Sequence, residues 1–101
     1  MSAPFSPMNA LALLDFTTSY PSPGTTRVVV HGEVDLSTAG ALRDRLLQVL
    51  HEQTPAVLEV GFATVTFLDC SGVGALVIAR NAAVRAGVQL RISHPQRVVR
   101  R

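Results

Sequence analysis

Three side chains able to do chemistry stand together at Asp69-Cys70-Ser71, followed by Gly72, Val73 and Gly74. The apolar pair Phe67-Leu68 leads in, and an uninterrupted helical pattern leads out to about Gly87. A carboxylate, a thiol and a hydroxyl are thereby delivered to the positive end of a helix, where unpaired backbone N–H groups and the helix dipole favour an anion. Ser71 is the simplest N-cap for that helix, and Asp69 complements its dipole. Cys70 is a candidate nucleophile or redox sensor, but the chain has no second Cys and no base nearby in sequence. A small packed or partly exposed residue is the expected role for it. A second group, His31, Glu33 and Asp35, shares one face of a strand. No His, Cys, Asp or Glu cluster has metal-ligand spacing, and no Gly-x-x-x-x-Gly-Lys phosphate loop is present. Neither a metal nor a cofactor is expected, and an enzyme active site is the least favoured reading of the turn.

Composition narrows the class. At 101 residues, with 48% hydrophobic and 16% charged, the chain is expected to form one globular domain. The net charge is only +2. All nine basic residues are Arg, and Arg97, Arg100 and Arg101 crowd the C-terminus, so no nucleic-acid surface is read from them. A lone Cys permits no intrachain disulfide and fits a reducing compartment. No basic segment precedes Leu11 to Leu14, and no apolar run approaches about 18 residues. A cytoplasmic protein with no signal peptide and no membrane insertion is expected.

The elements that must position the turn follow from periodicity. Residues 1–9, with Pro4 and Pro7, read as a flexible leader to a domain over 10–101. Ala10, Ala12, Leu14 and Phe16 alternate as a first strand, and the turn formers of Thr17 to Thr26 are expected to end it. In the second strand Val28, Val30, Gly32, Val34 and Leu36 fall on one face, opposite Arg27, His31, Glu33 and Asp35, with Val29 the apolar exception. Ser37 is placed to cap a helix whose Leu42, Leu46, Val49 and Leu50 share a face, ending near Glu52. Ala56, Leu58, Val60 and Phe62 form a third strand, and Ala63 to Thr66 a turn before the second helix, Ser71 to Ala86. Gly87 closes that helix. Val88, Leu90 and Ile92 then mark a fourth strand, and Ser93-His94-Pro95 opens a third helix.

Strands separated by helices of about a dozen residues require right-handed parallel crossovers, whereas the first pair needs only a turn. Each strand carries one polar face, so helices are expected on one side only. The expected fold is α/β: a mixed four-stranded sheet, antiparallel in its first pair and parallel thereafter, with the helices stacked on one face.

Two stretches carry a resemblance. Gly32-Glu33-Val34-Asp35-Leu36-Ser37-Thr38-Ala39 and Val65-Thr66-Phe67-Leu68-Asp69-Cys70-Ser71-Gly72-Val73-Gly74 resemble the paired signatures of STAS domains, most closely the bacterial anti-sigma factor antagonists. The resemblance covers roughly Leu11 to Arg101. It implies a module that binds an anti-sigma factor with serine-kinase activity and so releases a sigma factor. It also implies a switch, in which the kinase phosphorylates a Ser or Thr of the turn. Asp35, Asp69, Cys70, Ser71, Gly72, Val73 and Leu76 are the expected partner-binding residues.

The chain departs from the family pattern in three places. Cys70 occupies the usual acceptor position, leaving Ser71 as the remaining phosphoacceptor candidate. Gly61 stands where relatives often carry Asp. The final helix stops early, with only Val98 and Val99 as apolar cover, so the C-terminus is read as truncated or naturally short, and either low stability or self-association as a homodimer that hides the gap is expected. The alternative is a non-phosphorylated STAS subunit of a larger assembly, such as a lipid-transport complex.

Overall fold

The alternation of Val28, Val30 and Val34 with Arg27, His31 and Glu33 builds the strand on which the rest assembles. In the computed structural model, which describes residues 14–93, this is β2 (Thr25–Val34). It is preceded by β1 (Leu14–Ser22) and followed by α1 (Ala39–Gln53), β3 (Val57–Leu68), α2 (Cys70–Ala86) and β4 (Gln89–Ser93). The strands lie in the order β1-β2-β3-β4, with β1 antiparallel to β2 and the other two pairs parallel. The mixed sheet expected from the element order is the one formed.

Burial explains why the helices lie where they do. Val28, Val30, Val34, Leu58 and Val60 on one face of the sheet join Leu42, Leu46, Val49 and Leu50 of α1 and Ala75, Ala79 and Ala83 of α2 in a single core. Small residues on α2 let its backbone approach closely, while α1 supplies the bulk. The opposite face is polar: Glu59 binds Arg27 at 2.8 Å and Arg91 at 3.6 Å, linking β2, β3 and β4. His31 spans the same face, its Nε2 at 2.9 Å from Thr17 Oγ1 and its Nδ1 at 2.7 Å from Thr64 Oγ1. Gly87, at φ 75°, closes α2, its N–H donating to the carbonyls of Ala83 and Val84. Among the described residues no helix is long and apolar enough to cross a membrane.

Four local expectations are corrected. First, β1 runs on through Tyr20-Pro21 to Ser22, and the hairpin turns at Pro23-Gly24. An edge strand tolerates Pro where its ladder is broken, and the register slips between Ser19 and Ser22. Second, Ala63 to Thr66 are strand rather than turn. Two slips against β2 place one extra β3 residue each between the Val29 and His31 pairs and between the Gly32 and Glu33 pairs. These bulges reset the alternation, so Phe62 and Val65 both face the core. Thr64 and Thr66 donate their hydroxyls to the carbonyls of Val30 and Gly32, supplying bonds where the ladder is disrupted.

Third, Leu36 is not on the buried face: β2 ends at Val34, and Leu36 is 83% exposed. Fourth, Ser37 does not cap α1. Thr38 flanks the helix without a side-chain cap bond, and Ser37 turns back to Asp35 instead. The leader, the start of the first strand at Ala10, the third helix beyond Ser93, and the cover expected from Val98 and Val99 lie outside the described residues.

Candidate functional site

β2 and β3 are parallel neighbours, so the loops that leave their carboxyl ends emerge side by side, which is where open α/β sheets place ligands. Asp69 leaves β3 in an extended conformation, and its N–H donates to the Val34 carbonyl at 3.0 Å. That one bond latches the Asp69 turn to the last residue of β2. Immediately after Val34 the chain enters the Asp35 loop.

Asp69 itself, not Ser71, caps α2. Its carboxylate accepts the Ser71 N–H at 2.8 Å, and its carbonyl accepts the Gly72 N–H at 3.0 Å. The expected Ser71 cap is therefore corrected, because the exit from β3 sets the extended backbone that a cap residue needs at Asp69. Cys70 becomes the first helical residue and is exposed. Ser71 is half-buried, and its hydroxyl takes no hydrogen bond from a described residue.

Gly72 is buried beneath the turn. A Cβ there would stand 2.6 Å from Val34 Cγ1 and overlap Leu68 Cδ1. Its lack of a side chain is what lets α2 seat on β2. Gly72 is thus a packing position beneath the turn. Leu76, one turn further on, is half-buried against the core. Val73 is 50% exposed, and Val77 and Ile78 lie similarly open on the following turn.

The Asp35 loop is held by its own carboxylate. Asp35 Oδ1 accepts the Ser37 hydroxyl at 2.7 Å, the Ser37 N–H at 2.9 Å and the Thr38 N–H at 3.2 Å. Thr38, buried, donates its hydroxyl to the Glu33 carbonyl at 2.7 Å and accepts the Asp35 N–H at 3.0 Å. The Ser37 hydroxyl, with the backbone N–H groups of Ser37 and Thr38, holds the Asp35 carboxyl below its ordinary range, against the opposing effect of desolvation. Asp35 is consequently engaged inside the loop, and Leu36 is the side chain the loop turns outward.

Asp35, Asp69, Cys70, Ser71 and Val73 are thus brought to one end of the sheet. Sequence reasoning missed Leu36, although Asp35 followed by Ser37 and Thr38 is the pattern of a side-chain-stabilised turn that ends a strand early. Among the described residues no group of three or more His, Cys, Asp or Glu is placed to hold a metal. A groove of about 450 Å³ between α1 and α2, lined by Leu47, Leu50, His51, Thr54, Ala82 and Ala86, lies toward the far end of both helices.

The same architecture occurs in solved proteins. An anti-sigma factor antagonist from Mycobacterium paratuberculosis superposes with a TM-score of 0.69 at 24% identity, over 91% of this chain and 70% of that one. SpoIIAA, an anti-sigma factor antagonist in its unphosphorylated form, gives 0.65 at 17% identity, over 82% and 76%. Mglu gives 0.68 at 16% identity over 82% of this chain, which spans only 20% of the Mglu chain. At these identities the likeness establishes the fold. A search of curated proteins finds no match. The family model for the STAS domain matches residues 18–101, which takes in both loops and all of the sheet except the start of β1, and the chain belongs to the STAS domain family.

Proposed function

We propose that this chain is an anti-sigma factor antagonist, a non-enzymatic cytoplasmic module that binds an anti-sigma factor with serine-kinase activity and thereby releases a sigma factor. The observation that carries this reading is that the paired ends of β2 and β3, closed by the bond between Val34 and Asp69, set the two loops side by side with Val73 and Cys70 exposed. A rigid turn with an adjoining apolar side chain suits protein recognition better than catalysis. The names of two of the similar structures support the partner class.

The turn is not phosphorylated efficiently in this reading. A thiol is a poor acceptor for a serine kinase, so Cys70 stays unmodified. Ser71 stands one residue on, roughly 100° round the helix, and is half-buried where Cys70 is open. Its hydroxyl is not consumed by capping, since Asp69 performs that role, so register and access alone weigh against it. The protein then binds constitutively or is controlled by other means.

Two measurements test the proposal. Calorimetric titration against purified anti-sigma factors of the source organism should give binding to one of them, lost in Val73→Arg with circular dichroism unchanged. Unaltered affinity in that variant would remove the turn from the interface. Incubation with the bound kinase and ATP should label Cys70→Ser but not the wild type. Stoichiometric labelling of the wild type, lost in Ser71→Ala, would make Ser71 the acceptor. Binding only to a transport ATPase would favour the assembly-subunit reading.

A further inference from the structure

Leu36 is an unusual residue to find where it is. It is a large aliphatic side chain at 83% exposure, held two residues beyond the core residue Val34. Its backbone is not loose. Asp35 before it and Ser37 and Thr38 after it are tied together through the Asp35 carboxylate, and Thr38 is tied to the Glu33 carbonyl. The loop therefore fixes Leu36 outward before any partner arrives, and little ordering entropy remains to be lost when it is covered.

The surroundings state what kind of partner would cover it. Glu33, Asp35 and Asp69 bring three carboxylates to this end of the sheet, and the hydrogen bonds to Asp35 keep it charged. The nearest cation along the chain, Arg43, is paired with Asp44 at 3.0 Å. On the neighbouring turn Val73 is a second exposed apolar side chain. We infer that Leu36, held outward by the Asp35–Ser37–Thr38 ring beside the Asp69 turn, is the specificity-determining anchor of this face, inserting into an apolar recess rimmed by basic residues on the partner protein. The inference rests on the binding reading above and deepens it, by assigning the chemistry of the partner's side and a contact residue from the other loop.

Calorimetric titration of the anti-sigma factor that binds the wild type tests it. Leu36→Ala should weaken binding at least tenfold, equivalent to about 1.4 kcal/mol, and Leu36→Asp at least a hundredfold. Both should melt within a few degrees of the wild type, since Leu36 contributes little to the core. Val84→Ser, at a 64% exposed position three turns along α2 from Val73, should bind as the wild type does. Raising sodium chloride from about 50 to about 300 mM should weaken wild-type binding several-fold, because opposite charges are screened. Wild-type affinity in Leu36→Ala overturns the anchor, and affinity that is flat or rises with salt overturns the basic rim. If the wild type binds no anti-sigma factor at all, the binding reading fails and this inference falls with it, an outcome distinct from a wild type that binds and a Leu36 variant that binds equally.

Discussion

Two glycines of α2 offer a measurement of how closely the helix is seated. Gly72 and Gly74 lie two residues apart, so replacing either with Ala yields a similar helix-propensity gain, up to about 0.8–1 kcal/mol. Their surroundings differ. A Cβ at Gly74 meets nothing within 4 Å, whereas one at Gly72 stands 2.6 Å from Cγ1 of Val34, which is fully buried and cannot turn away into solvent. Forcing a methyl into such a packed contact costs about 1–3 kcal/mol. Subtracting the propensity gain leaves Gly72→Ala about 0–2 kcal/mol less stable than wild type, while Gly74→Ala should be as stable or more so. The difference between the variants isolates the contact at about 1–3 kcal/mol. For a domain of this size that corresponds to a gap in Tm of at least about 4 °C. Urea unfolding followed by circular dichroism, with m-values compared, would measure it. Two variants within about 0.5 kcal/mol of each other would refute the argument that Gly72 is required by the approach of α2 to β2.

The remaining predictions concern charge. Asp35 is held below its ordinary range in the folded protein, so its contribution to loop order is fully present above its unfolded pKa and is lost as pH falls through its folded value. Carbon-detected NMR titration should place the Asp35 midpoint below that of Asp35 in an unfolded peptide, with Leu36 and Ser37 amide shifts following it; a midpoint at or above the peptide value would contradict the ring. Glu59→Ala removes the common partner of Arg27 and Arg91 from a carboxylate whose side chain is only 18% exposed. It should cost about 1 kcal/mol in thermal unfolding, less at high salt because the pairs are partly solvated, and an unchanged Tm at low salt would show that the ladder across β2, β3 and β4 contributes nothing.

Much of the scaffold was legible because it depends on periodicity alone. Leu42, Leu46, Val49 and Leu50 can share a helical face in only one way, and all four are buried. Val28, Val30 and Val34 alternate as a half-buried strand must, and Gly87 ends α2 where an L side chain would be strained. The two loops were located from residue types as well, since Asp, Ser, Thr and Gly accumulate where strands stop. Their roles within each loop were less accessible. Asp69 and Ser71 both have the chemistry of a cap, and Asp35 and Leu36 were assigned opposite fates by extending an alternation one pair too far.

Local chemistry along the chain thus determined that there would be a mixed sheet, helices on its apolar face, and two polar turns following β2 and β3. Tertiary contact decided the rest. The β3 bulges exist because its pairing with β2 slips twice, a property of two strands that neither encodes alone. β1 runs to Ser22 because β2 offers a partner ladder that outweighs turn propensity at an edge. The cap falls on Asp69 because its N–H is bound to Val34, and Leu36 points outward because the Asp35 carboxylate closes on Ser37 and Thr38. The parallel pairing of β2 with β3, closed at its end by the Asp69 N–H on the Val34 carbonyl 35 positions away, set the two loops side by side, and periodicity carries no information about pairs so far separated.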